Sequence, residues 1–243
     1  MIRSIKVLVI DVGGTNVKIL ASDRRVPRRV PSGRRMTAER MVIDVRRLAR
    51  GWPYDAVTIG YPGVIMHGRP VHEPHNLGTG WVGFDFQGAF GKPVKMMNDA
   101  AMQALGSYRG GRMLFLGLGT GLGSAFVVDG MVEPIELAHL PYKKGHTYED
   151  YVGLRGLQRL GKKKWRRAVE DVAVRLRDAL QADELVLGGG NAKLLTSLPP
   201  KTRLGNNLNA FVGGFRLWNQ PASRLVATGQ ESPDLHRALS GAG

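Results

Sequence analysis

The sequence predicts an α/β protein of two lobes with a cleft between them. Two segments indicate this fold, because at 8–18 and at 114–130 an apolar strand ends in a Gly/Thr turn and a second strand follows. The two halves also share one order of elements, strand, glycine turn, strand, strand and helix, which indicates an internal duplication. Ligands of such folds bind at strand ends, so we expect them along the cleft.

Apolar runs and turn residues predict the elements of the first half. Its helices are predicted over 37–50, where apolar side chains recur at helical spacing, and over about 100–108. Thr37 is the predicted N-cap of the first helix, which Gly51 and Pro53 end. The predicted strands are 5–11, 16–22, 26–30, 56–60 and 94–97, with a hairpin at 64–71 and an ordered loop containing a short helix at 74–93.

The second half is predicted to repeat this order. Strands are expected at 113–118, 123–128, 131–136 and 185–187, and helices near 148–160, 163–181 and 206–218. We place the first lobe at 1–105 and the second at 106–218, with the last helix able to return to the first lobe. The remaining residues, 219–243, are polar with scattered Pro and Gly, so we expect a disordered tail.

The first glycine turn contains the residues of a phosphate site with a divalent cation. Gly13 and Gly14 let backbone amides approach an anion, and successive amides in such a turn form an anion nest. Thr15 adds a hydroxyl and Lys18 a positive charge. Asp11 is oddly placed beside an anion unless a metal ion lies between them. On these residues alone, an ordinary Asp-Val-Gly-Gly hairpin turn is an equally good explanation.

The second glycine turn strengthens the phosphate interpretation. Residues 117–124 read Gly-Leu-Gly-Thr-Gly-Leu-Gly-Ser, so Thr120 again places a small hydroxyl in a glycine turn. Two facing nests could hold a phosphoryl chain from both sides. Neither turn is a P-loop, because no Gly-Lys-Ser/Thr follows, and neither is a dinucleotide fingerprint, because a strand rather than a helix follows.

Composition indicates a basic protein with a real core. Apolar residues make up 43% of the chain, the formal net charge is +15, and there is no cysteine, which excludes a disulfide framework and a thiolate zinc site. No apolar run approaches the ~20 residues of a membrane span, and no signal-peptide pattern follows Arg3 and Lys6. We therefore expect a cytoplasmic protein without a membrane partner.

The positive charge is concentrated in two clusters. Ten arginines lie between Arg24 and Arg50, and a Lys-Lys-Lys-Trp-Arg-Arg run covers 162–167. Such an excess attracts polyanions such as polyphosphate, ATP, nucleic acid and anionic lipid, and the planar fork of arginine suits repeated phosphate contacts. A solvated surface explains the charge equally well.

In order along the chain, these segments resemble the motifs of the ROK family of sugar kinases, within the actin/hexokinase/Hsp70 superfamily with its ribonuclease H-like fold. Residues 11–18 are similar to the family's first phosphate motif, 117–124 to its second, and 188–190 to its adenosine motif. The polyphosphate glucokinases are the most similar members, because the chain is short and Tyr-Glu-Asp at 148–150 follows His139 closely. Many ROK members carry a Cys-rich zinc motif after this histidine, whereas the polyphosphate type lacks it, so no zinc is expected.

The resemblance implies a sugar site with Asp99 as the general base. Without the resemblance, Asn98 or Asp99 would be better explained as a helix N-cap. Glu136 and His139 match a Glu-x-Gly-His motif, although Ala138 replaces the glycine, which leaves the sugar preference open. A lone histidine is more often a surface or core residue, and this alternative applies to His67, His72, His75, His146 and His236, whereas His139 is expected in the site. The implied sugar ligands are Gly63, Asn76, Asn98, Asp99, Glu136, His139 and Glu149.

The resemblance also implies ATP or inorganic polyphosphate as the donor, with Mg²⁺ held by Asp11 directly or through water. Lys18 would neutralise developing charge, or would be a surface residue. The implied phosphate and nucleotide ligands are Asp11, Gly13, Gly14, Thr15, Lys18, Gly119, Thr120, Gly121, Gly188, Gly189 and Gly190.

The implied activity is transfer of a phosphoryl group to the 6-hydroxyl of glucose or a related hexose by a homodimeric glucokinase, with polyphosphate able to use the basic surface. The alternative is a non-catalytic protein that binds sugar or nucleic acid. A nucleic-acid partner is not expected, because no such motif is present and the paired glycine turns would stay unexplained. ROK repressors carry an N-terminal helix-turn-helix, for which we expect no room before the first strand.

Overall fold

The computed structural model describes residues 5–206 and 208–219, the last by its backbone alone. The chain divides into two compact units, the first comprising the residues up to Asn98 and those from Gly214 onward, the second Asp99–Gly213. The predicted tail 219–243 lies outside the described residues, apart from the backbone of Asn219. Within the described ranges, no helix combines the length and apolar character needed to cross a bilayer.

Residues 5–98 of the first unit form a five-stranded sheet, a two-stranded hairpin and two helices. Its elements are β1 (Val7–Val12), β2 (Asn16–Ala21), β3 (Arg28–Pro31), α1 (Ala38–Leu48), β4 (Ala56–Tyr61), β5 (Ile65–Met66), β6 (Arg69–Pro70), α2 (Phe86–Phe90) and β7 (Val94–Asn98). The sheet order is β3-β2-β1-β4-β7, in which β1, β4 and β7 are parallel and β2 and β3 are antiparallel to their neighbours. The strands β1 and β4 are buried along their whole length, which explains their continuous apolar sequences.

The second unit contains a sheet of the same design. Its elements are α3 (Asp99–Ser107), β8 (Arg112–Leu118), β9 (Leu122–Val128), β10 (Met131–Pro134), α4 (Tyr148–Val152), α5 (Leu154–Ala179), β11 (Glu184–Gly188), a 3-10 turn at Ala192–Leu194, β12 (Thr202–Leu204) and the start of α6 (Asn209–Asn219). The order β10-β9-β8-β11-β12 repeats the pairing directions of the first sheet. The predicted duplication of element order is therefore confirmed at the level of topology.

Helix boundaries follow the predicted chemistry in one case and depart from it in another. Thr37 caps α1 as predicted, its hydroxyl accepting a hydrogen bond from the Arg40 amide at 3.2 Å. The predicted helix over 148–160 is instead two helices, because Gly153 is extended and the Leu154 amide donates to Thr120 O. A second break lies inside α5 at Gly161, where φ is 72°.

The last helix is held by polar contacts to the first sheet and by close backbone packing in the second unit. In the first unit, the hydroxyl of buried Thr58 donates to Gly214 O and accepts from Trp218 Nε1, both at 2.8 Å. In the second unit, a Cβ atom on Gly106 would lie 2.7 Å from Gly213 N and against Asn209 O. The backbones of α3 and α6 therefore touch, which requires glycine at this crossing.

Gly106→Ala is expected to lower the free energy of unfolding by about 1–3 kcal/mol, because the added methyl group collides with backbone rather than with a mobile side chain. Urea unfolding measures the change. Gly119→Ala is the matched control, because a Cβ atom there meets nothing within 4 Å. Equal stabilities for the two variants would contradict the close crossing of α3 and α6.

Candidate functional site

The first glycine turn joins β1 to β2 and is held in shape by hydrogen bonds. The Gly13 amide donates to Asn16 O at 3.0 Å, which closes the turn. Ser32, which directly follows β3, also supports the turn, because its amide donates to Thr15 O at 2.9 Å and its hydroxyl donates to Gly13 O at 2.5 Å. Gly14 and Thr15 are exposed, so an anion can reach their backbone amides.

Asp11 lies beneath this turn in a low-dielectric environment. It is buried in β1, directly opposite Lys18 on β2, and the Lys18 ammonium donates to Asp11 Oδ2 at 3.3 Å. Burial raises the pKa of the Asp11 carboxyl, and the charge and hydrogen bond of Lys18 oppose that rise. The lysine therefore acts as the counterion of a carboxylate that is otherwise costly to ionise.

The structure brings Asn76 against the first glycine turn. A Cβ atom on Gly14 would lie 3.3 Å from the Asn76 Cβ, although the two residues are far apart in the sequence. The loop that carries Asn76 is fixed by Glu73, whose carboxylate accepts hydrogen bonds from the amides of Trp81 and Val82 at 3.1 and 3.2 Å. A residue predicted for sugar binding and a turn predicted for phosphate binding thus share one location in the first unit.

Gly63 and Asn98 are also brought together. They follow and end the neighbouring parallel strands β4 and β7, and Asn98 Nδ2 donates to Gly63 O at 3.1 Å. In the second unit, Asp99 is half-buried at the start of α3, and its Oδ1 accepts from the Ala100 amide at 2.8 Å. This hydrogen bond fixes the orientation of the Asp99 carboxylate.

The second and third glycine motifs adjoin in the second unit. Asn191, one residue after the third motif, donates from Nδ2 to Gly119 O at 3.0 Å and from its amide to Leu118 O at 2.9 Å. Gly189 has a φ of 82° and lies against the Leu118 backbone, where a side chain would not fit. Sequence reasoning missed Asn191, although its position directly after three glycines was the available signal.

Glu149 lies beside the second glycine turn. Its Oε2 accepts from the Leu122 amide at 3.0 Å, and a Cβ atom on Gly121 would collide with the same carboxylate. The Glu149 amide donates to Ala138 O at 3.0 Å, and Glu136 Oε1 accepts from the Ala138 amide at 3.1 Å. The Glu-Leu-Ala-His segment is therefore joined to Glu149 through Ala138, the residue that replaces the expected glycine. His139 itself is exposed.

A polar cluster that the sequence did not predict fixes the segment after His139. The hydroxyl of Tyr142 donates to Asp171 on α5, and Lys143 and Arg175 donate to the same carboxylate at 2.8 and 3.0 Å. Burial raises the pKa of Asp171, but the hydrogen bonds from Lys143, Tyr142 and Arg175 outweigh it and bring the pKa to about 2. The carboxylate thus anchors this segment to the longest helix.

The donor groups limit how a metal ion could be held. Within residues 5–206 and 208–219, no three His, Cys, Asp or Glu side chains form a cluster for a metal. Mg²⁺ commonly binds through one or two carboxylates together with substrate phosphates rather than in an all-protein cage. Asp11, a single carboxylate beneath a phosphate-type turn, fits this kind of coordination.

Comparisons with known proteins place these features in a family. The model of the ROK family matches residues 7–134, more than half of the chain. Polyphosphate glucokinase from Mycobacterium tuberculosis (strain CDC 1551 / Oshkosh) is 28% identical over an alignment of 151 residues that covers 54% of this chain and 55% of that protein. The chain thus spans about half the length of the curated relatives that it matches.

Solved structures extend the similarity over most of the chain. Inorganic polyphosphate/ATP-glucomannokinase from Arthrobacter sp. strain KM superposes with a TM-score of 0.75 at 26% identity, covering 88% of this chain and 98% of that one. A ROK family glucokinase from Streptomyces griseus, solved with glucose and AMPPNP, has a TM-score of 0.67 at 16% identity, covering 87% and 98%. The predicted α/β fold of the actin/hexokinase class is confirmed.

Asp11→Asn is expected to gain stability relative to the wild type as the pH rises. A carboxyl whose pKa is raised on folding favours the folded state fully below its unfolded value of 3.8. That contribution is lost as the pH rises through the folded pKa, whereas asparagine stays neutral. Urea unfolding between about pH 4 and pH 7 measures the difference. The exposed Asp129→Asn is the control, and a difference independent of pH would contradict the burial argument.

Asp171→Asn is expected to destabilise the protein by about 1 kcal/mol at neutral pH, less than the full pKa shift implies because the carboxylate is 34% exposed. A lowered pKa stabilises the folded state above the unfolded value of 3.8, and this contribution is lost as the pH falls toward about 2. Hydrogen exchange should show faster opening of residues 139–147. Asp178→Asn on the same helix is the control, and equal exchange in both variants would contradict the anchoring role.

Proposed function

Because the chain belongs to the ROK family, as its motifs predicted, we propose that it is a sugar kinase that phosphorylates the 6-hydroxyl of glucose or a related hexose. One observation carries this proposal. In each unit, a phosphate-type glycine turn lies directly beside a candidate sugar ligand, Gly14 beside Asn76 and Gly121 beside Glu149. A group-transfer enzyme needs donor and acceptor groups this close, whereas a simple sugar-binding protein does not.

The donor is assigned to the glycine turns. Thr15, Thr120 and the amides of their turns would bind phosphoryl oxygens, and Lys18 would neutralise charge near the first turn. Asp11 would hold Mg²⁺ directly or through water, and the bound ion would neutralise charge on the phosphoryl oxygens. The third motif, joined to Gly119 through Asn191, is assigned to the far part of the donor.

The acceptor is assigned to carboxylates and amides that can both orient and deprotonate a sugar. Asp99 would take the proton of the sugar hydroxyl while the oxygen of that hydroxyl forms a bond to the terminal phosphorus of the donor. The bond from that phosphorus to its bridging oxygen breaks, which leaves ADP or a polyphosphate shortened by one phosphate. Hydrogen bonds to the other hydroxyls are assigned to Asn76, Asn98, Glu136, His139 and Glu149.

The relatives support both donors. The Mycobacterium protein is named a polyphosphate glucokinase, and the Arthrobacter protein a polyphosphate/ATP-glucomannokinase. We therefore propose that this chain accepts ATP, polyphosphate or both, with glucose and mannose as the first acceptors to test. The homodimer implied by the family resemblance stays a prediction, which sedimentation equilibrium can test.

Asp99→Asn is expected to lower kcat for hexose phosphorylation by about 10²–10⁴-fold with either donor, because it removes the base without changing side-chain size. A coupled assay of sugar phosphate formation with Mg²⁺ measures this loss. Asp129→Asn is the matched control, because Asp129 is an exposed turn residue with a φ of 52°, a conformation that asparagine adopts readily.

Calorimetry separates the remaining outcomes. Retained sugar binding by Asp99→Asn together with lost turnover would support the assignment of Asp99 as the base. Full activity in that variant would overturn the assignment of the base. Sugar binding by the wild type without turnover on any donor would replace the kinase by a non-catalytic sugar-binding protein.

A further inference from the structure

We propose that an exposed basic strip on α5 binds the tail of a polyphosphate donor beyond the glycine turns. The strip consists of Lys162, Lys163, Lys164 and Arg167, with Lys193 on the neighbouring 3-10 turn. This inference rests on the proposed kinase function and adds a binding surface outside the assigned motifs. It also gives the surface a consequence that can be measured, which is preference for long polyphosphate over ATP.

Helix stability does not explain the placement of the three lysines. The helix restarts after the break at Gly161, so Lys162, Lys163 and Lys164 occupy the first turn of a helical segment. Positive side chains are unfavourable there, because they add to the positive end of the helix dipole. The three lysines are all exposed, and their charges add to an already positive helix end. Such a surface attracts a polyanion.

Structural pairing does not explain these residues either. In the part of the chain that the structure describes, no carboxylate lies within 4.0 Å of the amino groups of the three lysines or the guanidinium of Arg167. Many other basic residues do have structural partners. Arg203, for example, donates to Glu184 at 2.6 Å and to Ser107 O at 2.5 Å. The basic strip therefore keeps its charge available to a ligand.

The strip adjoins the third glycine motif. Arg166 Nε donates to Leu194 O at 2.6 Å, which fastens α5 to the 3-10 turn that follows Gly188–Gly190. A cavity of about 120 Å³ lies at this junction. Its polar lining comprises Arg166, Arg167, Glu170, Thr196 and Ser197. Guanidinium and hydroxyl groups thus lie beside the 3-10 turn that follows the third motif and carries Lys193.

The surface fits polyphosphate better than nucleic acid. Proteins that bind single-stranded nucleic acid combine positive charge with aromatic side chains on which bases stack. The aromatic residue within this run, Trp165, is fully buried, and its Nε1 donates to Val152 O at 2.9 Å. Repeated phosphates without bases require only the positive charges, which neighbouring helix positions such as Lys163 and Arg167 place on one face.

The test compares donors in a triple variant, Lys162→Gln, Lys163→Gln and Lys164→Gln, which keeps polar, unbranched side chains and removes three charges. The KM for long-chain polyphosphate should rise at least about tenfold and depend less on salt, whereas the KM for ATP should stay within about twofold. The matched control is Arg25→Gln, Arg29→Gln and Arg50→Gln, three exposed residues in the first unit. Glu170→Gln should lower the KM for polyphosphate, because it removes a negative charge from the cavity.

Each result decides a separate question. An unchanged KM for polyphosphate in the lysine variant, or an equal rise in the KM for ATP, would overturn the proposal that the strip binds polyphosphate. The proposed kinase function would be unaffected by either result. If the wild type phosphorylates no hexose with any donor, the proposed kinase function fails. Binding of fluorescently labelled polyphosphate then tests the strip by itself, and equal binding by wild type and lysine variant would overturn it. Equally tight, lysine-dependent binding of single-stranded DNA would overturn the assignment to polyphosphate.

Discussion

Close approach of the backbone at the ends of the central strands is the constraint on which the candidate site residues of each unit depend. Gly14 lies against Asn76, Gly121 against the Glu149 carboxylate, and Gly189 against the Leu118 backbone. A side chain at Gly14 or Gly121 would push away a proposed sugar ligand. A side chain at Gly189 would separate the second and third glycine motifs. The two sheets have the same strand order and directions. The first and second glycine turns therefore occupy the same topological point, one connecting β1 to β2 and the other connecting β8 to β9. Duplicated topology thus places the same kind of turn in each unit.

The sequence was sufficient for the elements whose pattern is local and insufficient for contacts between distant segments. Continuous apolar runs such as β1 and β4 were predictable because both faces of these strands are buried. The short strand β12 was missed, since three residues, two half-buried and one exposed, carry no periodic signal. For the site, glycine turns and carboxylates were identifiable as residue types. Their adjacency was not, because Asn76 reaches Gly14 only through a loop fixed by Glu73, and Tyr142 reaches Asp171 only through the packing of α5.

Asp11 is a charged side chain that this fold keeps at an energetic disadvantage. The carboxylate occupies a fully buried strand between Ile10 and Val12, where apolar side chains would stabilise the sheet more. Burial disfavours the ionised carboxylate that a cation site requires, and the charge of Lys18 on the neighbouring strand offsets part of this cost of ionisation. Packing alone gives no reason for this pair, since two opposed apolar residues would satisfy the β1–β2 register. The pair is therefore better explained by chemistry at the turn above it than by stability.

The excess positive charge separates into two populations with different physical roles. Several arginines of the first unit have structural partners, since Arg28 donates to Leu48 O at 2.5 Å and lies 4.3 Å from the Trp52 ring, and Arg40 and Arg47 pair with buried Asp44. The planar guanidinium suits such fixed contacts, whereas the lysines of the basic strip are compact, hydrated charges on flexible stems. A surface of exposed lysines such as the basic strip can gain or lose charge without disturbing the strands. The fold can therefore persist while such a surface changes, which agrees with a TM-score of 0.75 at only 26% identity.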